Sequence, residues 1–457
     1  MRTTTYAVAA RLLVCSGVAI ASCVPAIAQE VGVGSSAGSG FRAQFGGEQR
    51  TRFESLNGQF RANTALPKTE DQWFTRTSLR GDFSRLRYGA TVELMDSRAF
   101  HVRDNGASNT GTVNTTDLVN ANATIKVNPF GDGDGRLLVG RYTMTVGSRR
   151  FVIRNGYRNT VNTFTGVDYQ WTNGGNHVHA FWTLPVRRRP FDGPSLRDNE
   201  FEWDDQDRDL QFSGLFASRQ LDDATKLEVF AYGLHEDAAN TRNRRLLTPG
   251  ARLVRPAVPG QVSFELEAAL QVGDSQATVG GPKLDHSAWF GHASVGYTMN
   301  AAMQPSVRLA IDYASGDRDP TDGDNNQFDR LYGAPRFDFG PTGLWGVIQR
   351  SNFQAPELRL SIKPCSRSAL MFAFRDLQLA SSRGAWVGAG VADATGQSGK
   401  QVGKHYEIRG QYEVIEKTMF FEIGGAYLVA GGFLDRAPNS KGGRDSRYAY
   451  AQMTWKF

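Results

Sequence analysis

The stretch Asp117 to Asn128 reads as one strand that alternates strictly from Val119 onward. Val119, Ala121, Ala123, Ile125 and Val127 fall on one side, and Asn120, Asn122, Thr124 and Lys126 on the other. A period of two held over this length predicts an extended strand with one apolar and one polar face. The C-terminus repeats the pattern. From Ser446 to Phe457, the residues Ala449, Ala451, Met453, Trp455 and Phe457 share one face, and Tyr450, Gln452, Thr454 and Lys456 the other. An apolar face that ends in aromatic residues, with an opposite face suited to water, describes a strand lining a membrane barrel.

The same template predicts strands near Gln44 to Glu54, Asp71 to Asp82, Tyr88 to Leu94, Arg136 to Tyr142, Phe164 to Trp171, His177 to Leu184, Arg208 to Ser218, Lys226 to His235 and Arg245 to Val254. It continues through Val262 to Val272, His286 to Tyr297, Pro305 to Ala314, Pro356 to Lys363, Ala369 to Leu379, His405 to Val414 and Thr418 to Val429. With the two strands above, about eighteen are expected, an even number as a single-chain bacterial barrel requires. Alternate connections are short, as at Gly81 to Ser84 and Ile415 to Lys417. The intervening ones are long, as at Asp96 to Thr116, Pro185 to Asp207, Ser315 to Ala355, Ala380 to Lys404 and Ala430 to Asp445. Short periplasmic turns and long extracellular loops are the asymmetry of a transmembrane antiparallel β-barrel.

Composition agrees with this reading. There are 28 Phe, 14 Tyr, 8 Trp and 50 Gly, which suits many strands and glycine-rich turns. Past the N-terminal region no stretch reaches the roughly 20 apolar residues of a spanning helix. Arg2 and Arg11, the apolar run Leu12 to Ala21 and the small-residue site Ala26-Ile27-Ala28 make residues 1 to 28 a secretory signal. Ile20-Ala21-Ser22-Cys23 is an alternative, lipoprotein-type processing site. The expected order is therefore signal 1–28, a periplasmic segment 29–43 and a barrel 44–457, placed in the bacterial outer membrane. The expected partners are outer-membrane lipid and lipopolysaccharide, the barrel-assembly machinery and an anionic saccharide.

Cys15 and Cys23 leave with the signal, so Cys365 has no intramolecular partner. Loss of Arg2 and Arg11 leaves 50 basic against 46 acidic residues. That excess does not predict nucleic-acid binding. Where the charges point matters more. The inward faces collect Arg50, Arg52, Arg76, Arg80, Lys126, Arg308, Arg359, Lys363, Arg375 and Arg409, interleaved with Glu48, Glu93, Asp168, Glu265, Asp312, Glu407 and Glu422. Guanidiniums present planar forks that match carboxylates. Arranged around a lumen with acids between them, they suit an anion-favouring pore, while structural ion pairs inside the barrel are the simpler use of each taken singly.

Asp317, Asp319, Asp322 and Asp324 lie around Gly323 in a spacing that offers oxygen ligands to a divalent cation. The EF-hand spacing and closing Glu are missing, and an acidic surface loop is the plainer reading. His177 and His179 share a face without a third ligand. No metalloprotease, nucleophile-elbow or phosphate-loop spacing occurs, so neither an enzyme nor a cofactor is expected.

Several stretches resemble the alginate-export family of outer-membrane barrels. They are Glu93 with Asp96-Ser97-Arg98; Gly140-Arg141; Arg154-Asn155, Arg158-Asn159 and Phe164-x-Gly166; Asp312 to Asp317 with Phe328 and Leu331-Tyr332-Gly333; Asn352-Phe353; and Ala437-Pro438-Asn439. The resemblance implies an eighteen-stranded barrel whose arginine-rich lumen passes an acidic polysaccharide such as alginate. It adds Arg141, Arg154 and Arg158 to the pore-lining set and implies that Arg149 to Arg158 and Asp317 to Gly333 fold toward the pore. Tyr142 stands where the family pattern has Gln, and the turn at Ile415 to Lys417 is short where the alginate secretion porin has a long periplasmic loop. Export, uptake and general diffusion all remain open, as does a plugged barrel that acts as a receptor or adhesin through its outer loops.

Overall fold

The computed structural model describes residues 40–238 and 241–457; the expected signal and most of the segment 29–43 lie outside them. Nineteen strands form one sheet. Eighteen make the wall, and β14, Asp324–Asn325, is a two-residue strand that pairs parallel with β12. β1 (Phe41–Asn57), β2 (Thr69–Arg85), β3 (Tyr88–Phe100), β4 (Asn114–Lys126) and β5 (Asp134–Tyr142) open the barrel. They are followed by β6 (Phe164–Asn173), β7 (Asn176–Pro185), β8 (Leu210–Gln220), β9 (Lys226–Glu236), β10 (Arg245–Arg255), β11 (Val262–Gln276), β12 (Lys283–Thr298) and β13 (Ser306–Ala314). After β14 come β15 (Phe353–Ile362), β16 (Ser368–Gln378), β17 (Gln401–Ile415), β18 (Met419–Ala430) and β19 (Ser446–Lys456). Three one-turn helices, α1 (Gly193–Arg197), α2 (Arg336–Phe339) and α3 (Gly432–Arg436), sit in long connections. No helix among the described residues is long and apolar enough to cross a membrane.

Each wall strand pairs antiparallel with its neighbours, and β19 returns to β1 from Glu48↔Lys456 to Asn57↔Arg447, which closes the ring. Closure removes the sheet edges that hydrocarbon cannot satisfy. The terminal residue extends the seam: Gly47 N–H donates to the Phe457 carbonyl at 2.7 Å, and Phe457 N–H returns a bond to the Gly47 carbonyl at 3.1 Å.

The alternation predicted from the sequence holds around the wall. Leu79, Leu94, Val139, Leu215, Leu266, Leu309, Ile408 and Ile423 are exposed on the outside, and a continuous apolar exterior of this kind is stable only against lipid. Several boundaries differ: β2 runs to Arg85, so the expected Gly81 to Ser84 turn is strand and the turn falls at Leu86-Arg87. β1 begins at Phe41, so residues 41–43 belong to the wall and not to the preceding segment. β3 runs to Phe100 and β4 starts at Asn114, so much of the expected Asp96 to Thr116 loop is strand. At β4 a bulge lets Glu93 face Asn120 while Leu94 faces Leu118. Val119 is the extra residue, and it packs inside with Met95 and Val161 instead of on the lipid face.

The long connections do not stay outside. Residues 143–163 and 315–352 fold into the lumen and pair with each other through Val152 and Tyr332. There Phe151, Phe328 and Tyr332 pack against Phe164, Phe212, Phe230, Tyr232 and Phe290 of the wall, and Trp345 packs against Phe60 and Tyr448. The long-loop half of the barrel thus has an apolar core built from loop and wall together.

Candidate pore and its charged lining

On the β13 to β19 arc, inward parity places carboxylates and guanidiniums on adjacent strands. Glu357 on β15 accepts from Arg308 at 2.8 Å, Arg359 at 2.9 Å and Arg375 at 2.7 Å. Arg375 continues to Glu407 at 3.0 Å. Arg336 of α2 bonds Glu407 at 3.3 Å and Glu422 at 2.5 Å. Arg308, Arg359 and Arg375 therefore face inward as expected, but they are neutralised in a connected chain of ion pairs.

On the β1 to β3 arc the partners are backbone carbonyls of the inserted loop. Arg50 donates to the carbonyls of Gly156 at 2.8 Å and Arg158 at 2.9 Å, and Arg76 to Gly156 at 2.7 Å and to Glu48 at 2.5 Å. Arg52 is held by Glu54 at 3.0 Å and Gln452 at 2.8 Å. Arg154 reaches Glu93 at 2.6 Å. Arg80, 45% exposed, binds Asp82 at 2.7 Å and lies 3.6 Å from Glu93. Asp312 lies 3.0 Å from His292. The charged pair Glu265 and Glu267 on β11 finds its partner in Arg150 of the same inserted loop.

One expected pore residue, Arg141, needs correction. Arg141 is in register with Ala121 and Thr165 on the side shared with Val139 and Val167, so it faces away from the lumen and bonds Gln206 of a long connection at 2.7 Å. The neighbour Tyr142 takes the inward position, because successive strand residues face opposite ways. Lys363 lies just past β15 at the short-turn end, where it donates to Gln304 at 3.2 Å and lines the cavity shared with Arg50 and Glu422. The four aspartates of the 317–324 loop do not converge. Asp319 accepts from the Thr321 hydroxyl at 2.7 Å and meets Arg383 at 3.3 Å, while Asp322 accepts from Asp324 N–H at 2.9 Å. Among the described residues no three His, Cys, Asp or Glu form a metal-sized group.

Against this paired background several arginines form no ion pair; besides Arg50, held by loop carbonyls, and Arg42 and Arg136 near the short turns, four stand out. Arg409, inward on β17, makes no ion pair or side-chain hydrogen bond among the described residues, and its Nε is buried without a partner. On the long-loop side Arg158 donates to the Thr160 carbonyl at 3.2 Å and to the Asn162 side chain at 2.8 Å. Arg188 donates to the Val161 carbonyl at 2.9 Å and the Thr110 carbonyl at 2.7 Å. Their guanidiniums thus flank one short segment, and Asn162 bonds the Tyr332 carbonyl at 3.2 Å, two residues from exposed Arg330. None of the three forms an ion pair among the described residues. Burial, with the like charges of Arg188 and Arg330, pushes the Arg158 guanidinium well below its ordinary value. Arg188 and Arg330 were not among the expected site residues. The run Arg187-Arg188-Arg189 before Pro190 is a legible signal for the first; nothing in the local pattern marks the second.

Open space lies on both sides of the inserted loops. At the short-turn end, a cavity of about 870 Å³ is lined by Arg42, Arg80, Asn120, Asn122 and Arg136. Another, of about 520 Å³, is lined by Arg50, Arg76, Tyr157, Gln411, Glu422 and Gln452. At the long-loop end, a cavity of about 290 Å³ is lined by Arg242, Arg244, Arg330, Gln349 and Ser351. Between them stand Arg336, Asp338, Trp345 and Arg350, all buried.

A closed eighteen-stranded wall, an apolar exterior and a charged, loop-constricted lumen define a porin-like outer-membrane channel. Residues 41–447 match the Alginate export family, and the chain belongs to it. Solved barrels share the fold at low identity. OccK9 (OpdG) of Pseudomonas aeruginosa is 12% identical with a TM-score of 0.59, covering 91% of this chain and 98% of its own. A BenF-like porin from Pseudomonas fluorescens Pf-5 is 11% identical with a TM-score of 0.58, covering 91% and 98%. OpdK of Pseudomonas aeruginosa, solved with vanillate, is 12% identical with a TM-score of 0.57, covering 90% and 98%. No curated protein matches the chain.

Proposed function

We propose that this channel passes anionic saccharides, uronic acids and their oligomers such as those of alginate, without a chemical step. The observation that carries this reading is the acid-free set Arg158, Arg188 and Arg330 on the long-loop side, followed inward by unpaired Arg409. A carboxylate replaces part of its hydration at a guanidinium with two parallel, charge-assisted hydrogen bonds. Acid-free arginines at separated depths let successive carboxylates move from one to the next, while the paired arginines hold the wall and loops in shape. OpdK, which shares the fold, was solved with the carboxylate vanillate, and this supports passage of carboxylates through such a wall.

The test is a planar-bilayer measurement on the purified mature chain under a salt gradient, followed by titration with uronic-acid oligomers. The expected result is an anion-biased reversal potential and block by the oligomers, both reduced several-fold by Arg158→Gln with Arg330→Gln. Conductance without bias or block would instead make the protein a general diffusion porin. A chain that never conducts would make it a plugged barrel serving as a surface receptor.

A further inference from the structure

The inserted segment 335–345 makes polar contacts with the wall and with Arg150 and Arg350 of the inserted loops, among them a bond from the Trp345 indole N–H to His405 at 3.0 Å. Arg336 meets Glu407 at 3.3 Å, Glu422 at 2.5 Å and the Tyr450 hydroxyl at 2.8 Å. The Asp338 carboxylate accepts from Arg150 at 3.1 Å and from Arg350. Its backbone carbonyl accepts from Arg359 at 2.8 Å and Arg375 at 2.7 Å. Leu344 N–H donates to Glu54 at 2.8 Å. Two glycines permit this seating. Gly340 and Gly343 have φ of 92° and 82°, and a Cβ on either would come within 2.6 Å of Glu407 or 2.4 Å of Glu54. The end of the segment and the residues after it are anchored by apolar packing, Trp345 against Phe60 and Tyr448 and Val347 in the loop core, and Phe339 and Leu344 within the segment join the same core.

Position adds to chemistry. Glu422, which holds Arg336, lines the short-turn cavity, while Gln349 and Ser351, next to Arg350, line the long-loop cavity. The segment is thus a septum between two water-accessible spaces. Its polar fastenings are the Arg336 and Asp338 ion pairs, seated beside the packed side chains of Phe339 and Leu344, and its hinge is the Trp345 anchor. These pairs are buried, so releasing them requires that both partners gain water or a new counter-charge.

We propose that residues 335–345 are the gate of this channel, held shut by the Arg336 and Asp338 ion pairs and released when a carboxylate-bearing ligand competes for Arg150, Arg336 and Arg350. The nature of the ligand rests on the function proposed above; the septum does not. The competing carboxylate takes the place of Asp338 on Arg150 and Arg350, and Asp338 moves into the long-loop cavity as the segment swings away. The gate lies inside the barrel, consistent with the shortness of the Ile415 to Lys417 turn, which leaves no long segment at that end.

The experiment uses the full mature chain with Cys365→Ser in planar bilayers. Asp338→Asn is expected to raise the open fraction several-fold without ligand, with unheated electrophoretic mobility confirming a folded barrel. In a second variant, Gly343→Cys with Glu54→Cys ties the segment to β1. It is expected to be silent when oxidised and to conduct after reduction by dithiothreitol. Equal conductance of the oxidised and reduced tether, or an Asp338→Asn channel no more open than its parent, would overturn the gate. Galacturonate oligomers added to the parent are expected to raise the open fraction before they block. Should the tether gate while the reversal potential shows no anion bias, the septum stands and the proposed substrate class falls.

Discussion

Arg375 and Arg409 look alike in sequence, both inward-facing arginines on neighbouring strands, yet the structure gives them opposite work. Arg375 is fully buried between Glu357 and Glu407. Its replacement by Gln leaves two buried carboxylates short of a partner, and breaking such a pair costs about 3–5 kcal/mol. Arg375→Gln is expected to lower the urea midpoint of unfolding measured by tryptophan fluorescence, with ion selectivity changed little in the fraction that folds. Arg409 holds no acid, so Arg409→Gln is expected to leave stability within about 0.5 kcal/mol while shifting the reversal potential toward zero. Parity along a strand tells which face a charge occupies. It does not tell whether a neighbouring strand or an inserted loop supplies the counter-charge, and that difference separates a structural arginine from a pore arginine. Glu93 illustrates the reverse case: its position was legible, but its partner Arg154 arrives from a loop.

At the scale of the element, periodicity located the wall strands and missed their irregularities. The bulge at Val119 reverses the faces of β4 without changing its composition, so no count of apolar positions reveals it. The seam between β1 and β19 depends on a residue with no pattern of its own. A Cβ at Gly47 would lie 2.5 Å from the Phe457 ring and 2.6 Å from the Ser78 carbonyl. Gly47→Val is therefore expected to impair closure, seen as loss of the fast-migrating unheated band on gel electrophoresis, whereas Gly323→Ala in a long loop, where space is open, keeps it. The short turn after β8 is tied by Asp222, whose carboxylate accepts from Ala224 and Thr225 N–H, both at 2.8 Å. These bonds hold its pKa below the ordinary value. A depressed carboxyl contributes above its unfolded pKa and stops contributing only as pH falls through its lower folded value. The Asp222 midpoint followed by NMR is accordingly expected below about 3.9, with the turn intact at mildly acid pH.

For the whole molecule, the inserted loops turn a wide barrel into a constricted one. Arg150 is their central tie, joining Glu265 and Glu267 of the wall to Asp338 of the septum. Arg150→Gln is expected to expose the 143–163 and 315–352 segments to protease while the barrel itself resists, a split that limited trypsinolysis followed by mass spectrometry reads directly. Much of this architecture is legible in the chain alone. A strand crossing a bilayer must alternate because lipid lies on one side and the lumen on the other, and that local rule fixed the class, the approximate strand number and the side of most wall residues. The set of free and neutralised arginines, the apolar core of loop and wall, and the septum at 335–345 arise from contacts between separate elements, 290 positions apart in the case of Leu344 and Glu54. No local pattern encodes them, because a loop carries no periodicity to show where it will fold, and a charge acquires its role only from the partner that tertiary structure brings to it.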